Sequence, residues 1–363
     1  MLRSLARPVT AAMAGVLAPG ILALGLGAPA ARAEPLKVVG TIRAADWEAY
    51  RTRFMDPSGR IMDDANGNIS HSEGQGYGML LALAANDRRA FEQIWTFTRT
   101  ELLIRDDGLA AWKWEPNASP NVTDTNNASD GDVLIAYALM LAAKAWREPR
   151  YQNAAQSLVK AIGRVLLRES AGRLVMLPGA KGFTESDRPD GLLVVNPSYW
   201  IFEAFEAFEA LAPDHDWSRL RRDGIAIIEA GSQNPAGLPP DWLAIPPQGP
   251  MLPAQGFPPL FGYNSVRIPL YLVRAGLTDV RWLGSLRQRW SGGAIEVVDV
   301  TTGRAQEALT ARGYTMWAPL LACATASRPL PEAAKTFKLD LYYPSTLQLL
   351  ALSFVSEKFP RCL

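Results

Sequence analysis

Histidine and cysteine are scarce in this 363-residue chain, with two of each: His71 and His215, Cys323 and Cys362. Structural zinc sites draw most of their ligands from these two types, so a zinc centre is not expected. A Ser-His-Asp hydrolase would have to recruit one of only two imidazoles. Two cysteines make no disulfide framework, and the sequence leaves one bridge or two buried thiols equally open. An excess of charge of either sign is also lacking. The 37 Lys and Arg against 36 Asp and Glu leave a formal net charge of +1, which argues against a nucleic-acid surface or a polybasic membrane patch. Beyond residue 33 there is no run of about 18 apolar residues, so no membrane span is expected there.

Apolar residues, by contrast, are plentiful at 48%, enough for a large core. The first 33 residues differ from the rest. Arg3 and Arg7 precede an Ala/Gly/Leu-rich run from about Val9 to Ala28, and Ala31-Arg32-Ala33 offers a small-x-small cleavage pattern. This predicts a signal peptide over 1–33, cleaved after about Ala33, and a secreted or periplasmic product with no membrane contact after cleavage. Pro8, Pro19 and Pro29 make the segment a poor membrane anchor. Residues 34–363 are expected to form one domain.

Along that domain, apolar segments at helical spacing alternate with loops rich in Gly, Pro, Asn or Asp. In Val133–Trp146 the residues Ile135, Leu139, Ala142 and Trp146 form one stripe. In Tyr151–Leu167 the stripe is Ala155, Leu158, Ile162 and Leu166. Further helices are expected at Met79–Ala85, Phe91–Leu103, Tyr199–Leu211, Trp217–Ala230, Val266–Ala275, Val280–Trp290, Tyr314–Ala326 and Ser345–Glu357. Short strands are expected at Leu174–Leu177, Leu192–Val195 and Ile295–Asp299. There is no βαβ alternation and no fixed repeat, so an all-α domain follows, a closed helical barrel fitting it well. Pro-rich Leu238–Pro259 reads as an ordered loop, a candidate cleft rim.

Three loop-to-helix junctions hold the polar groups. In His71-Ser72-Glu73-Gly74-Gln75-Gly76-Tyr77-Gly78, three glycines are costly at a helix start unless something approaches the backbone closely. Glu73 stands there without charged neighbours; the plainer reading is a capping box with Ser70. In Asn126-Asn127-Ala128-Ser129-Asp130-Gly131-Asp132, both aspartates sit at a helix N-terminus, which favours the ionised carboxylate. Asp130 is therefore expected to stay charged, and one of the two aspartates to serve only as a cap. The third junction is Gly262-Tyr263-Asn264-Ser265-Val266-Arg267; its plainer reading is a turn with an exposed arginine. Near them lie Trp112, Trp114, Tyr137, Tyr199, Trp200, Trp242 and Tyr263, rings that either fill a core or stack on the apolar faces of sugars. Glycoside hydrolysis needs an acid of raised pKa and, for inversion, a base of low pKa, with carboxyls roughly 6.5–9.5 Å apart. Glu73 and Asp130 are two carboxylates in such different settings.

Ser72–Met79 and Ala128–Ala138, the second extended through Trp146, resemble the signature segments of glycoside hydrolase family 8. Asn196-Pro197-Ser198-Tyr199-Trp200, Gly262–Arg267 and Tyr342-Tyr343-Pro344-Ser345 follow in that family's order, and the resemblance spans about residues 40 to 357. It implies an (α/α)6 barrel of the six-hairpin type and an inverting, endo-acting hydrolase with 34–363 as catalytic domain. Glu73 would be the proton donor. Asp130 would be the signature aspartate, labelled nucleophile in the family and read here as charge-stabilising. Tyr137, Tyr199, Trp200, Tyr263, Asn264, Arg267 and Trp114 would bind substrate. No cofactor or metal is implied; Asp64-Ala65-Asn66-Gly67-Asn68 is a tight turn rather than a calcium loop. The resemblance is strongest to endoglucanases that accompany bacterial cellulose synthases, making a β-1,4-glucan the substrate and the synthase machinery a partner. A chitosanase, a xylanase or a glucan-binding accessory with weak catalysis are the alternatives. One departure stands out: many members carry a general-base Asp where this chain has Asn264. Asp130, Glu185, Asp187 and Asp241 are the candidates to replace it.

Overall fold

A computed structural model describes residues 36–363; the expected signal segment lies outside them. Among them are thirteen α-helices: α1 (Ala44–Phe54), α2 (Ser72–Ala84), α3 (Arg88–Phe97), α4 (Ser129–Trp146), α5 (Pro149–Leu166), α6 (Phe202–Phe208), α7 (Trp217–Gly231), α8 (Ile268–Arg274), α9 (Arg281–Arg289), α10 (Arg312–Thr315), α11 (Trp317–Ala326), α12 (Glu332–Lys335) and α13 (Tyr342–Lys358).

Helix neighbours define a ring. α2 packs on α4, α4 on α6, α6 on α8, α8 on α11, and α10, which adjoins α11, packs on α13, which returns to α2. The chain is an all-α (α/α)6 barrel. Helices of the ring are apolar nearly all round because they are covered nearly all round. In α2 every residue except Glu73 is buried. The outer layer follows the amphipathic rule: α5 buries Tyr151, Ala155, Leu158, Ile162 and Leu166 on one stripe, and α7 buries Trp217, Leu220, Ile227 and Ile228. Cys323 and Cys362 form a disulfide, their Cα atoms 6.1 Å apart.

Among the described residues two antiparallel strand pairs, β1 (Ser70–His71) with β2 (Lys113–Trp114) and β3 (Leu167–Ser170) with β4 (Arg173–Met176), precede two three-stranded antiparallel sheets. β5 (Leu193–Val195), β6 (Leu243–Ile245) and β7 (Leu252–Pro253) form the first. The Pro-rich stretch is thus partly sheet, and its Trp242 stacks on Phe257, ring centroids 4.4 Å apart. In the second, β8 (Leu260–Phe261) pairs with β9 (Glu296–Asp299), and β9 with β10 (Ala305–Ala308).

Some boundaries move for identifiable reasons. The helix expected from Tyr199 is a 3₁₀ turn at Pro197–Tyr199, capped by the Asn196 side chain, with α6 starting only at Phe202. The helix expected over Tyr314–Ala326 divides into α10 and α11 at Met316. Ser70 does not cap α2: it lies in a short strand, and its hydroxyl accepts a bond from Arg60 instead.

Candidate active site

The glycines of the first two junctions serve packing between helices. A Cβ at Gly76 would collide with Leu134 of α4, and one at Gly131 with Ser72 of α2. Without side chains there, the N-termini of α2 and α4 close together, and Glu73 and Asp130 converge on one arginine. That arginine is Arg267, whose side chain is only 2% exposed, so the turn does not carry an exposed cation. Arg267 contacts the Glu73 carboxylate through Nη1 and donates through Nη2 to Asp130 Oδ2 at 2.7 Å. Nη1 also donates to the Tyr77 hydroxyl at 3.1 Å, and Nη2 to Ser198 Oγ at 3.3 Å. The guanidinium lies over the Tyr199 ring, 5.4 Å from its centroid.

Burial lifts the Asp130 carboxyl to about 7, against the pull of the Gly131 N–H. The lowered value expected from a helix N-terminus is overturned, because loss of water outweighs the terminal dipole. Asp132, one half-turn on, is also lifted to about 7 by burial. Its partners differ: the Ala110 N–H and Asn127 Nδ2 each donate to it at 2.8 Å, tying α4 to a neighbouring loop. Glu73 and Asp130 thus share one guanidinium, and Arg267 and Asp130 are both nearly dry.

Glu73 and Arg267 open onto a cavity of about 590 Å³. Its other lining includes Asp63, His71, Tyr263, Asn264, Glu307, Tyr314, Asp340, Tyr342 and Tyr343. Burial lowers the His71 imidazole, Asp63 pulling the other way from 3.4 Å. Tyr263 is 45% exposed; its hydroxyl donates to Glu307 Oε1 at 2.7 Å, and Tyr343 donates to its carbonyl at 2.8 Å. The second sheet explains this proximity: Tyr263 and Asn264 follow β8, Glu307 lies on β10, and β9 joins the two.

Of the residues expected at the site, Glu73, Asn264, Tyr263 and Arg267 line the cavity, while Asp130 sits behind Arg267. Tyr199 is beside Arg267 and meets Trp242 edge-on at 5.9 Å. Trp200 is a core residue, 1% exposed, donating to the Met176 carbonyl at 3.2 Å. Tyr137 is partly buried along α4, away from the cavity lining and packed into the main core. Trp114 pairs with Phe97 and carries Arg60 over its ring, also outside the lining. Among the candidate bases, Asp241 is consumed by structure: its Oδ1 accepts the Gly262 and Ser265 N–H groups at 2.9 and 2.8 Å, and holds the Asn264 turn. Glu185 and Asp187 are outside the lining, and Asp187 accepts three bonds within its own loop. Sequence reasoning missed His71, Asp63, Glu307 and Asp340 as lining residues; His71 opens the first glycine-rich junction, but the other three belong to no apolar stripe or glycine-flanked motif that would single them out.

Asp64–Asn68 is the expected tight turn, held by Asp63 accepting from Ala65 and Asn66. Among the described residues no group of three or more His, Cys, Asp or Glu side chains is placed to hold a metal ion.

A cavity in an all-α barrel lined by Glu73 and several tyrosines, with Asp130 behind Arg267, fits a glycoside hydrolase. Residues 28–357 match the family described as Glycosyl hydrolases family 8, and the chain belongs to that family. An endoglucanase of Cellulomonas uda is 44% identical over 226 residues, 62% of each chain, so the match spans less than two thirds of that relative. A probable endoglucanase of Novacetimonas hansenii is 38% identical over 266 residues, 72% of this chain and 76% of the relative. Among solved structures, endoglucanase Cel10 of Klebsiella pneumoniae superposes with a TM-score of 0.79 at 37% identity, covering 86% of this chain and 99% of that one.

Proposed function

We propose that the protein is an exported endo-β-1,4-glucanase that cuts internal bonds of a cellulose-like glucan with inversion, and that Glu73 is its general acid. The observation that carries the reading is the position of Glu73: the one residue of α2 that is not buried, it lines the cavity beside the buried Arg267. On a bound chain Glu73 protonates the leaving glycosidic oxygen. Asp130 acts through Arg267, fixing the guanidinium and balancing charge as the sugar ring becomes oxocarbenium-like. Asn264 and Tyr263 hold sugar hydroxyls or the attacking water at the opposite wall, and Tyr199 supports Arg267.

Export is supported by the Cys323–Cys362 bridge, since such bonds persist in oxidising compartments. No described helix is long and apolar enough to cross a membrane. A role beside a cellulose synthase is the accompanying proposal, resting on the resemblance of the motifs, and endo-β-1,4-glucanase CMCax of Acetobacter xylinum is 33% identical with a TM-score of 0.77. Asn264, which cannot take a proton from water, is the observation that favours the glucan-binding accessory instead.

The test is release of reducing ends from carboxymethyl-cellulose by the purified protein and by Glu73→Gln. The glucanase reading expects release by the first and its near-complete loss in the second, with glucan binding retained. A native protein that binds the polymer but releases nothing would leave only the accessory role.

A further inference from the structure

An inverting reaction needs a carboxylate to deprotonate water, and Asn264 is neutral. Besides Glu73, three acids line the cavity: Asp63, Glu307 and Asp340. Asp63 is 5% exposed, and both its oxygens are engaged, Oδ1 by the Ala65 N–H and Oδ2 by Asn66 Nδ2, with His71 3.4 Å away. Asp340 lies at the start of the α13 segment, where its Oδ1 accepts the adjacent Leu341 N–H at 2.8 Å. Glu307 differs from both. It stands on exposed strand β10, and one oxygen accepts from Tyr263, the residue next to Asn264. Its other oxygen, like Asp340 Oδ2, has no protein partner among the described residues.

We propose that Glu307 is the general base, taking over the role for which Asn264 lacks the chemistry; this rests on the glucanase reading above. The Asn264 amide holds the water, and the free oxygen of Glu307 accepts its proton as the water oxygen bonds to the anomeric carbon. The bond from that carbon to the leaving oxygen breaks, and Glu73 supplies the proton that oxygen needs. The products are an α-configured new reducing end and a free 4-hydroxyl on the departing chain. Glu307 is left protonated and Glu73 ionised, and solvent exchange resets both. The Tyr263 hydroxyl keeps the Glu307 carboxylate turned towards the cavity. Its own proton is secure, because burial and the neighbouring carboxylate raise the phenol to about 12.

Glu307→Gln and Glu307→Ala test this on the whole protein, with melting temperature recorded beside activity because an exposed strand position should tolerate both. The expected result is a fall in kcat of about 100-fold or more with KM nearly unchanged, the usual scale for a lost general base. Sodium azide should restore turnover in Glu307→Ala and leave an α-glucosyl azide, since the small anion attacks without deprotonation. The acidic limb of the kcat/KM profile should also vanish. Retention of more than about a tenth of the native kcat, or a loss that azide does not relieve, overturns the proposal. So does azide rescue confined to Asp340→Asn. A native protein with no activity on any β-glucan fails the glucanase reading itself, and is recognised before the variants are compared.

Discussion

The two walls of the cavity are built by opposite means. The wall carrying Glu73, Asp130 and Arg267 is dry, formed by helices of the ring, and its charges neutralise one another. The facing wall of Tyr263, Asn264 and Glu307 is wet, formed by a three-stranded sheet and its turn, and its carboxylate is in solvent. A proton donor and a proton acceptor need different surroundings, and the barrel supplies them by making one wall from core and the other from surface.

The comparison can be broken most directly on the dry wall. Glu73→Gln should lower kcat by roughly 10³-fold with little change in melting temperature; equal losses in binding and turnover would mean that Glu73 only shapes the cavity. Arg267→Lys keeps one charge but cannot span both acids, so activity should fall by about 100-fold and stability by roughly 2–4 kcal/mol as a buried carboxylate loses its partner. Denaturant unfolding beside kinetics checks this, and an unaltered midpoint would count against the shared network.

The pH profile sharpens the contrast. Burial places Asp130 at about 7, so the charge around Arg267 changes as pH rises through about 7, and activity should decline there. Asp130→Asn should displace that alkaline limb and leave the acidic one in place. Asp132 supplies a control on the same helix. Its folded carboxyl, at about 7, lies above its ordinary 3.8. The folded state therefore holds the proton more tightly, and the stabilisation is full below about 4 and is lost as pH rises towards 7. Asp132→Asn turns an amide towards two donors and should cost about 1–3 kcal/mol. The deficit should be greatest in acid, while turnover per folded molecule is unchanged. Smallest of all, Tyr263→Phe should reduce kcat by less than about tenfold, because it loosens Glu307 without removing it; a larger effect would give the tyrosine a part in the chemistry.

The acids of the dry wall were legible in the sequence; of the wet wall, Tyr263 and Asn264 were and Glu307 was not. Helical spacing located most of the ring, and glycines beside isolated carboxylates marked the α2 and α4 junctions, since close helix contact leaves a compositional trace. What approaches the backbone closely at Gly76 and Gly131 is a neighbouring helix. The burial that lifts Asp130 depends on α8 delivering Arg267 from 137 residues away, and no local pattern encodes that distance. Glu307 sits in a short exposed strand, Ala305–Ala308, whose residues alternate nothing and bury nothing. Trp200 and Tyr137 show the converse: an aromatic ring beside a motif looks the same in sequence whether it faces a cleft or a core.

The Tyr50 hydroxyl meets Thr346 Oγ1 at 2.8 Å across 296 residues of chain, and the Tyr342 N–H reaches Asp64 across 278. The ring is sealed there, by contacts whose search is slow because nothing local guides it. During synthesis α2, α4 and α8 emerge with the whole acid–arginine cluster before Tyr342 and Tyr343 exist to finish the cavity. A nascent chain can therefore own its acids and still have nowhere to hold a glucan; competence arrives in one step, when the last ring helix docks beside the first.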